Sequence, residues 1–132
     1  MRKLTATACL ALLLLGCGES GATYEGYTTG QWCELAKDDD VERRRKAVFV
    51  LGELGLTEAD ETVPTLAGAV ADPDPEVRRV ALQSLEKLAP KAKKAQGAVG
   101  RAINDKNKAV LKQALQTYKA IELAKPSPLL GG

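Results

Sequence analysis

The chain has no histidine among its 132 residues. That excludes Ser-His-Asp and Cys-His nucleophile pairs and histidine-based zinc sites. Cysteine is nearly as scarce. Of the three, Cys9 and Cys17 lie in or at the end of a leader-like N-terminal segment, so Cys33 stands alone and no internal disulfide framework is possible. Beside Trp32 on a helix, Cys33 reads as a small buried apolar residue; pairing with a thiol of another chain is the alternative. No apolar run approaches the roughly 20 residues a spanning helix needs. The longest, Leu4 to Leu15, has twelve. A Gly-rich phosphate loop is also missing, because LGELG falls at a helix end rather than between a strand and a helix.

The N-terminus does carry a pattern. Met1-Arg2-Lys3 is a basic start, Leu4–Leu15 is mainly apolar, and Gly16 is a small residue just before Cys17. Leu14-Leu15-Gly16-Cys17 resembles a bacterial lipobox. The resemblance implies cleavage before Cys17, a covalent diacylglycerol with added palmitate on Cys17, and a mature protein starting there. It also implies a lipid anchor in the cell envelope. Gly18, not Asp, follows the cysteine, which by the same resemblance favours the outer membrane, facing the periplasm.

Removing residues 1–16 leaves 116 residues, enough for one modest domain. The mature part balances 17 bases against 17 acids, yet the charges are segregated. Residues 17–76 hold 14 acids and 5 bases, whereas residues 87–125 hold 10 bases against only Asp105 and Glu122. An elongated fold would keep an acidic and a basic end apart. Residues 17–28 read as the lipidated cysteine and a flexible tether, being rich in Gly, Ser and Thr. Residues 126–132 (PSPLLGG) are expected to be a disordered tail.

Between them, over 29–125, lies an internal repeat. DDDVERRRKAVFVLGEL starts at Asp38, DPDPEVRRVALQSLEKL at Asp72 and DKNKAVLKQALQTYKAI at Asp105, 34 and 33 residues apart. In register, apolar residues recur at Ala47/Ala81/Ala114, Val48/Leu82/Leu115, Leu51/Leu85/Tyr118 and Leu54/Leu88/Ile121. Val77, Ala81, Leu85 and Leu88 have the spacing of one helix face. Asp40, Asp74 and Asn107 sit where N-caps belong, with Pro75 at a first helical position. Gly55 and Pro90 are expected to end the first two of these helices. Shorter helices precede them at 29–37, with a Thr28–Gln31 capping box, at 58–71, where Pro64 must kink or restart the helix, and at 91–103, weakened by Gly97 and Gly100. The expectation is an all-α solenoid of about three helical hairpins.

DPDPEVRRVALQSLEKLA, with its Asp turn, its Val77-Arg78 pair and its Ala81-Leu82-Leu85-Leu88 pattern, resembles the short bacterial HEAT repeats also found in phycobilisome lyases. The likeness covers about residues 29–123 and is loosest in the third copy. It implies that the second helices line a concave face. It also implies that Arg78 and Arg44, with Asp72, Asp74 and Asp38, link adjacent repeats. Leu111 replaces the arginine in the third copy, so the link should fail there. A lyase-like activity has only this resemblance behind it and ranks last.

Two candidate surfaces remain. Asp38-Asp39-Asp40-Glu42 lacks the Gly turn and distal Glu of a calcium loop, so it reads as a capping turn and no metal is expected. The polar stripe runs through Arg45, Phe49 and Gly52, then Arg79, Gln83 and Glu86, then Lys112, Gln116 and Lys119. Stacking would align Arg45, Arg79 and Lys112 as a basic row, with Phe49 as an apolar anchor. The combined reading is a non-catalytic scaffold for a protein partner, with no nucleic acid and no cofactor beyond the lipid on Cys17. Head-to-tail self-association, or contact of the basic half with anionic lipid, is the alternative.

Overall fold

The computed structural model describes residues 21–124. The signal, Cys17 and the 126–132 tail lie outside these residues. Two short strands, β1 (Thr23–Tyr24) and β2 (Tyr27–Thr28), form an antiparallel hairpin, pairing Thr23 with Thr28 and Tyr24 with Tyr27. Five helices follow: α1 (Thr29–Leu35), α2 (Val41–Ala69), α3 (Pro75–Lys87), α4 (Gln96–Ala102) and α5 (Lys108–Leu123). Two 3-10 turns, Ala89–Lys91 and Lys93–Ala95, bridge α3 and α4. The first part of α2 pairs with α1, its last part with α3, and α4 with α5. The result is an all-α stack of three hairpins.

The N-terminal caps form by the mechanism the sequence calls for. Thr28 accepts from the Gln31 amide while the Gln31 side chain accepts from Thr28 N–H, a reciprocal box at the start of α1. Asp40, Asp74 and Asn107 each accept first-turn N–H groups of α2, α3 and α5. One continuous core joins all three hairpins through fully buried Val48, Leu51, Leu66, Val77, Leu82, Leu85, Val99, Val110 and Ile121. Cys33 belongs to it, and burial pushes its thiol pKa up.

Four boundaries differ from the sequence expectation. First, the expected tether is shorter than 17–28, because 23–28 are folded. Glu25 and Gly26 turn the hairpin at φ 50° and 81°, the positive values a two-residue connection needs. Trp32 then holds it, donating its indole N–H to Tyr24 O at 3.1 Å and meeting both tyrosines edge-on. Second, Pro64 lies inside α2, and the break comes at Glu58, with φ −125° and ψ 46°. There the Glu58 carboxylate accepts from Ala22 N–H at 2.8 Å and from the Thr29 hydroxyl. The bend is therefore built around the strand-to-helix corner, and these two bonds hold the Glu58 pKa below the usual carboxylate range. Third, Gly55 does not end its helix. It is buried in α2, where an added Cβ would stand 2.4 Å from Leu88 Cδ1 and 2.6 Å from Thr62 Oγ1. The third short helix is also trimmed from 91–103 to Gln96–Ala102, with 3-10 turns before it.

Thr62 is fully buried, and its hydroxyl has no hydrogen-bond partner among the described residues. Thr62→Val keeps the shape and removes the unmatched group. We expect it to raise stability by about 1 kcal/mol, read as a higher urea midpoint at unchanged slope.

Candidate functional site

Each Asp turn is a bracket built the same way twice. Arg44 reaches forward to Asp72 with Nε and Nη2, at 2.9 and 3.2 Å. Its Nη1 donates to the carbonyls of Asp38 and Asp39 in its own turn, at 2.8 and 3.0 Å. Arg78 repeats this one unit on, with two bonds to Asp105 at 2.8 and 3.1 Å and two to the carbonyls of Asp72 and Pro73 at 2.9 and 3.1 Å. The planar guanidinium suits this double duty, because its fork matches a carboxylate while the remaining N–H groups stay free for carbonyls. Asp38, Asp72 and Asp105 each also accept from the amide two residues on. Burial pushes the Asp105 pKa up, but Arg78 and the Asn107 N–H outweigh it, so it sits below the ordinary value. Leu111 holds the equivalent place in the third unit.

Asp74 links adjacent units through the residue next to Arg44. It pairs with Arg45, at 3.2 and 3.3 Å, and not with Arg78. Arg45 holds the Asp74 pKa well down. The expected basic row is thus altered at its source. Arg45 also binds Glu42 at 2.9 Å, and Arg79 is matched by Glu76 on its own helix. Both guanidinium groups are charge-compensated, and Arg45 acts as a further link between units.

A second set of links was not anticipated from the sequence. Ser84 donates its hydroxyl to Val48 O at 2.8 Å, and Thr117 donates to Leu82 O at 2.9 Å. Both acceptors and both donors occupy matching repeat positions. The available signal was a small hydroxyl residue recurring on an otherwise apolar side at 84 and 117. Gly52 permits the first of these contacts, because a Cβ there would stand 2.5 Å from Ser84 Oγ.

The outward ridge of the second helices carries the rest of the predicted surface. Phe49 is 52% exposed, with Lys87 Nζ 5.8 Å above its ring and bonded to Glu53. Gln83, Lys112 and Gln116 are exposed. An open trough of about 710 Å³ runs past Asp38, Arg44, Pro64, Gly68 and Asp72, with the Arg44–Asp72 pair in its wall. Among the described residues no cluster of His, Cys, Asp and Glu side chains converges as a metal site. No helix among them is long and apolar enough to cross a membrane.

The family model of HEAT repeats matches residues 31–119. The chain belongs to the HEAT repeat family. That span runs from within α1 to within α5 and so takes in all three hairpins. HEAT repeats are commonly protein-interaction scaffolds, and in this HEAT stack the arginine brackets and hydroxyl pins fix one second helix against the next. No curated protein matches the chain.

Proposed function

We propose that this HEAT-repeat chain is an exported bacterial lipoprotein, anchored through a diacylglycerol on Cys17, that serves as a non-catalytic scaffold for a protein partner. The binding half of this reading is carried by Phe49, a large ring 52% exposed on the second-helix ridge. Gln83 and Gln116 stand at its register positions in the next two units, exposed and without a hydrogen bond among the described residues. An aromatic anchor flanked by adaptable amides is a composition that recognises protein. Because brackets and pins already order the ridge, little conformational entropy remains to be lost when a partner docks. The membrane half rests on Leu14-Leu15-Gly16-Cys17, and Gly18 points to the outer membrane, facing the periplasm.

In-cell crosslinking followed by mass spectrometry identifies what the scaffold holds. Phe49→Ala with Gln83→Ala and Gln116→Ala should cut capture of that partner by about tenfold or more, with helicity unchanged. Unaltered capture would remove the ridge from the proposal. Labelled palmitate should enter the wild-type chain and not Cys17→Ser.

Head-to-tail stacking of copies is the weaker second reading. The hairpin lies over the N-terminal unit, with Glu25 on Lys46 at 2.6 Å and Lys46 5.8 Å above the Trp32 ring. In the third unit the position equivalent to Lys46 holds Gln113, which faces Glu86 of the preceding second helix. A stacking copy would therefore have to displace the hairpin.

A further inference from the structure

The cations of this chain fall into two populations. From Lys37 to Lys87 every lysine and arginine sits in an ion pair. From Lys91 to Lys119 none makes one among the described residues, and Lys91 instead donates to Leu56 O. The uncompensated charge is therefore gathered in the last unit, where Asp105 is already engaged by Arg78 and only Glu122 remains.

Three of these cations lie on the outward face of α5. Lys108, Lys112 and Lys119 share one side with Leu111, Leu115 and Leu123, at helical spacings of three and four. The opposite side, with Val110, Ala114, Thr117 and Ile121, is buried. In the first two units the residues in register with Leu115 are Val48 and Leu82, and both are fully covered by the next second helix. No further second helix follows among the described residues. Leu115 is 48% exposed and Leu123 is 66% exposed.

Leucines rimmed by lysines have the composition of a helix that lies in a bilayer interface. The apolar side chains enter the headgroup–acyl boundary, and the ammonium groups stay with lipid phosphate. A single-stranded nucleic acid would need aromatic platforms for its bases. Tyr118 is the one aromatic side chain near this face, and it is half-buried against Gly100. Another HEAT hairpin is also a poor fit. Leu111 replaces the bracket arginine, and Glu122 occupies the position of Gly55, where close approach requires a small residue.

We infer that the outward face of α5 docks on an anionic phospholipid surface. Its placement rests on the lipoprotein reading given above. Gly21 stands against Glu58, four residues after Cys17. Four residues span at most about 14 Å, so the acyl anchor would hold the first unit close to the headgroups. The lipid contact itself is separable from the anchor.

The test uses residues 18–132, which keep every described residue and carry no acyl group. They should sediment with phosphatidylcholine vesicles containing about 30% phosphatidylglycerol and not with phosphatidylcholine alone. Salt at about 0.5 M should release them. Lys108→Gln, Lys112→Gln and Lys119→Gln together should weaken binding about 100-fold, at about fivefold per lysine. Circular dichroism should not change, because all three side chains are exposed. Equal binding to both vesicle types, or wild-type affinity in the triple variant, overturns the inference. So does no binding at all, which would leave the face to an acidic protein. Loss of palmitate labelling at Cys17 would sink the anchor and leave this result standing.

Discussion

Gly52→Val is expected to cost about 3 kcal/mol, lowering the melting temperature by roughly 15 °C. An added Cβ would lie 2.5 Å from Ser84 Oγ, 2.7 Å from Ser84 Cβ and 3.2 Å from Ser84 Cα. The last of these is backbone and cannot rotate away, so α2 and α3 must separate. Separation also stretches the 2.8 Å bond from the Ser84 hydroxyl to Val48 O. The control is a double-mutant cycle of Gly52→Ala with Ser84→Gly, which removes the side-chain part of the clash. Its melting temperature should exceed the sum of the two single effects. Strict additivity would mean that the two helices are not held at this distance by these two residues.

Arg78→Leu, which installs the residue the third unit already has at that position, should cost about 2 kcal/mol at pH 7. The figure is set below the fully buried range because the Arg78 side chain keeps 19% of its exposure and Asp105 keeps 11%. The loss comprises two bonds to Asp105 and two to turn carbonyls, and it leaves a mostly buried carboxylate without its cation. The pH dependence gives the signature. In the wild type the folded pKa of Asp105 lies below its ordinary 3.8, so its stabilisation is complete above that value and is lost as pH falls through the folded one. In the variant, burial acts without Arg78 and raises the folded pKa, so protonation relieves the penalty as the solution is acidified. The stability gap should be widest near neutrality and narrow as the pH falls towards and below 3.8. Thermal melts across that range read it directly. A gap that stays constant with pH would show that Asp105 is not the group responsible.

The repeat and its caps were legible because they are periodic. Positions 34 and 33 residues apart showed which residues turn inward, and the oxygen-bearing side chains before each second helix marked its start. The misses came from features that occur once or that depend on distance. The hairpin at 23–28 has only two residues in each strand, too short for an alternation pattern, and it exists because Trp32 supplies a surface for it. Gly55 carried the local mark of a helix end, but its reason is tertiary, since Leu88 from the next helix fills the space a side chain would need. For Arg45, sequence gave the register and not the partner. It appeared to belong to a row of free cations, whereas folding brings Asp74 within 3.3 Å. The hydroxyls of Ser84 and Thr117 had a periodic signature but looked like tolerated small residues, because a hydroxyl-to-carbonyl bond between helices leaves no mark in an apolar pattern.

The hairpin over the first unit also bears on how the protein comes apart. One extremity is fastened by an indole N–H bond, a reciprocal capping box and the Glu58 corner. The other has lost its bracket arginine to Leu111 and leaves Leu115 facing outward. Thermal openings should therefore begin at α5 and travel towards α1, like a zipper with one end sewn shut. Amide hydrogen exchange should follow that gradient, fastest along α5 and slowest where α2 meets α3.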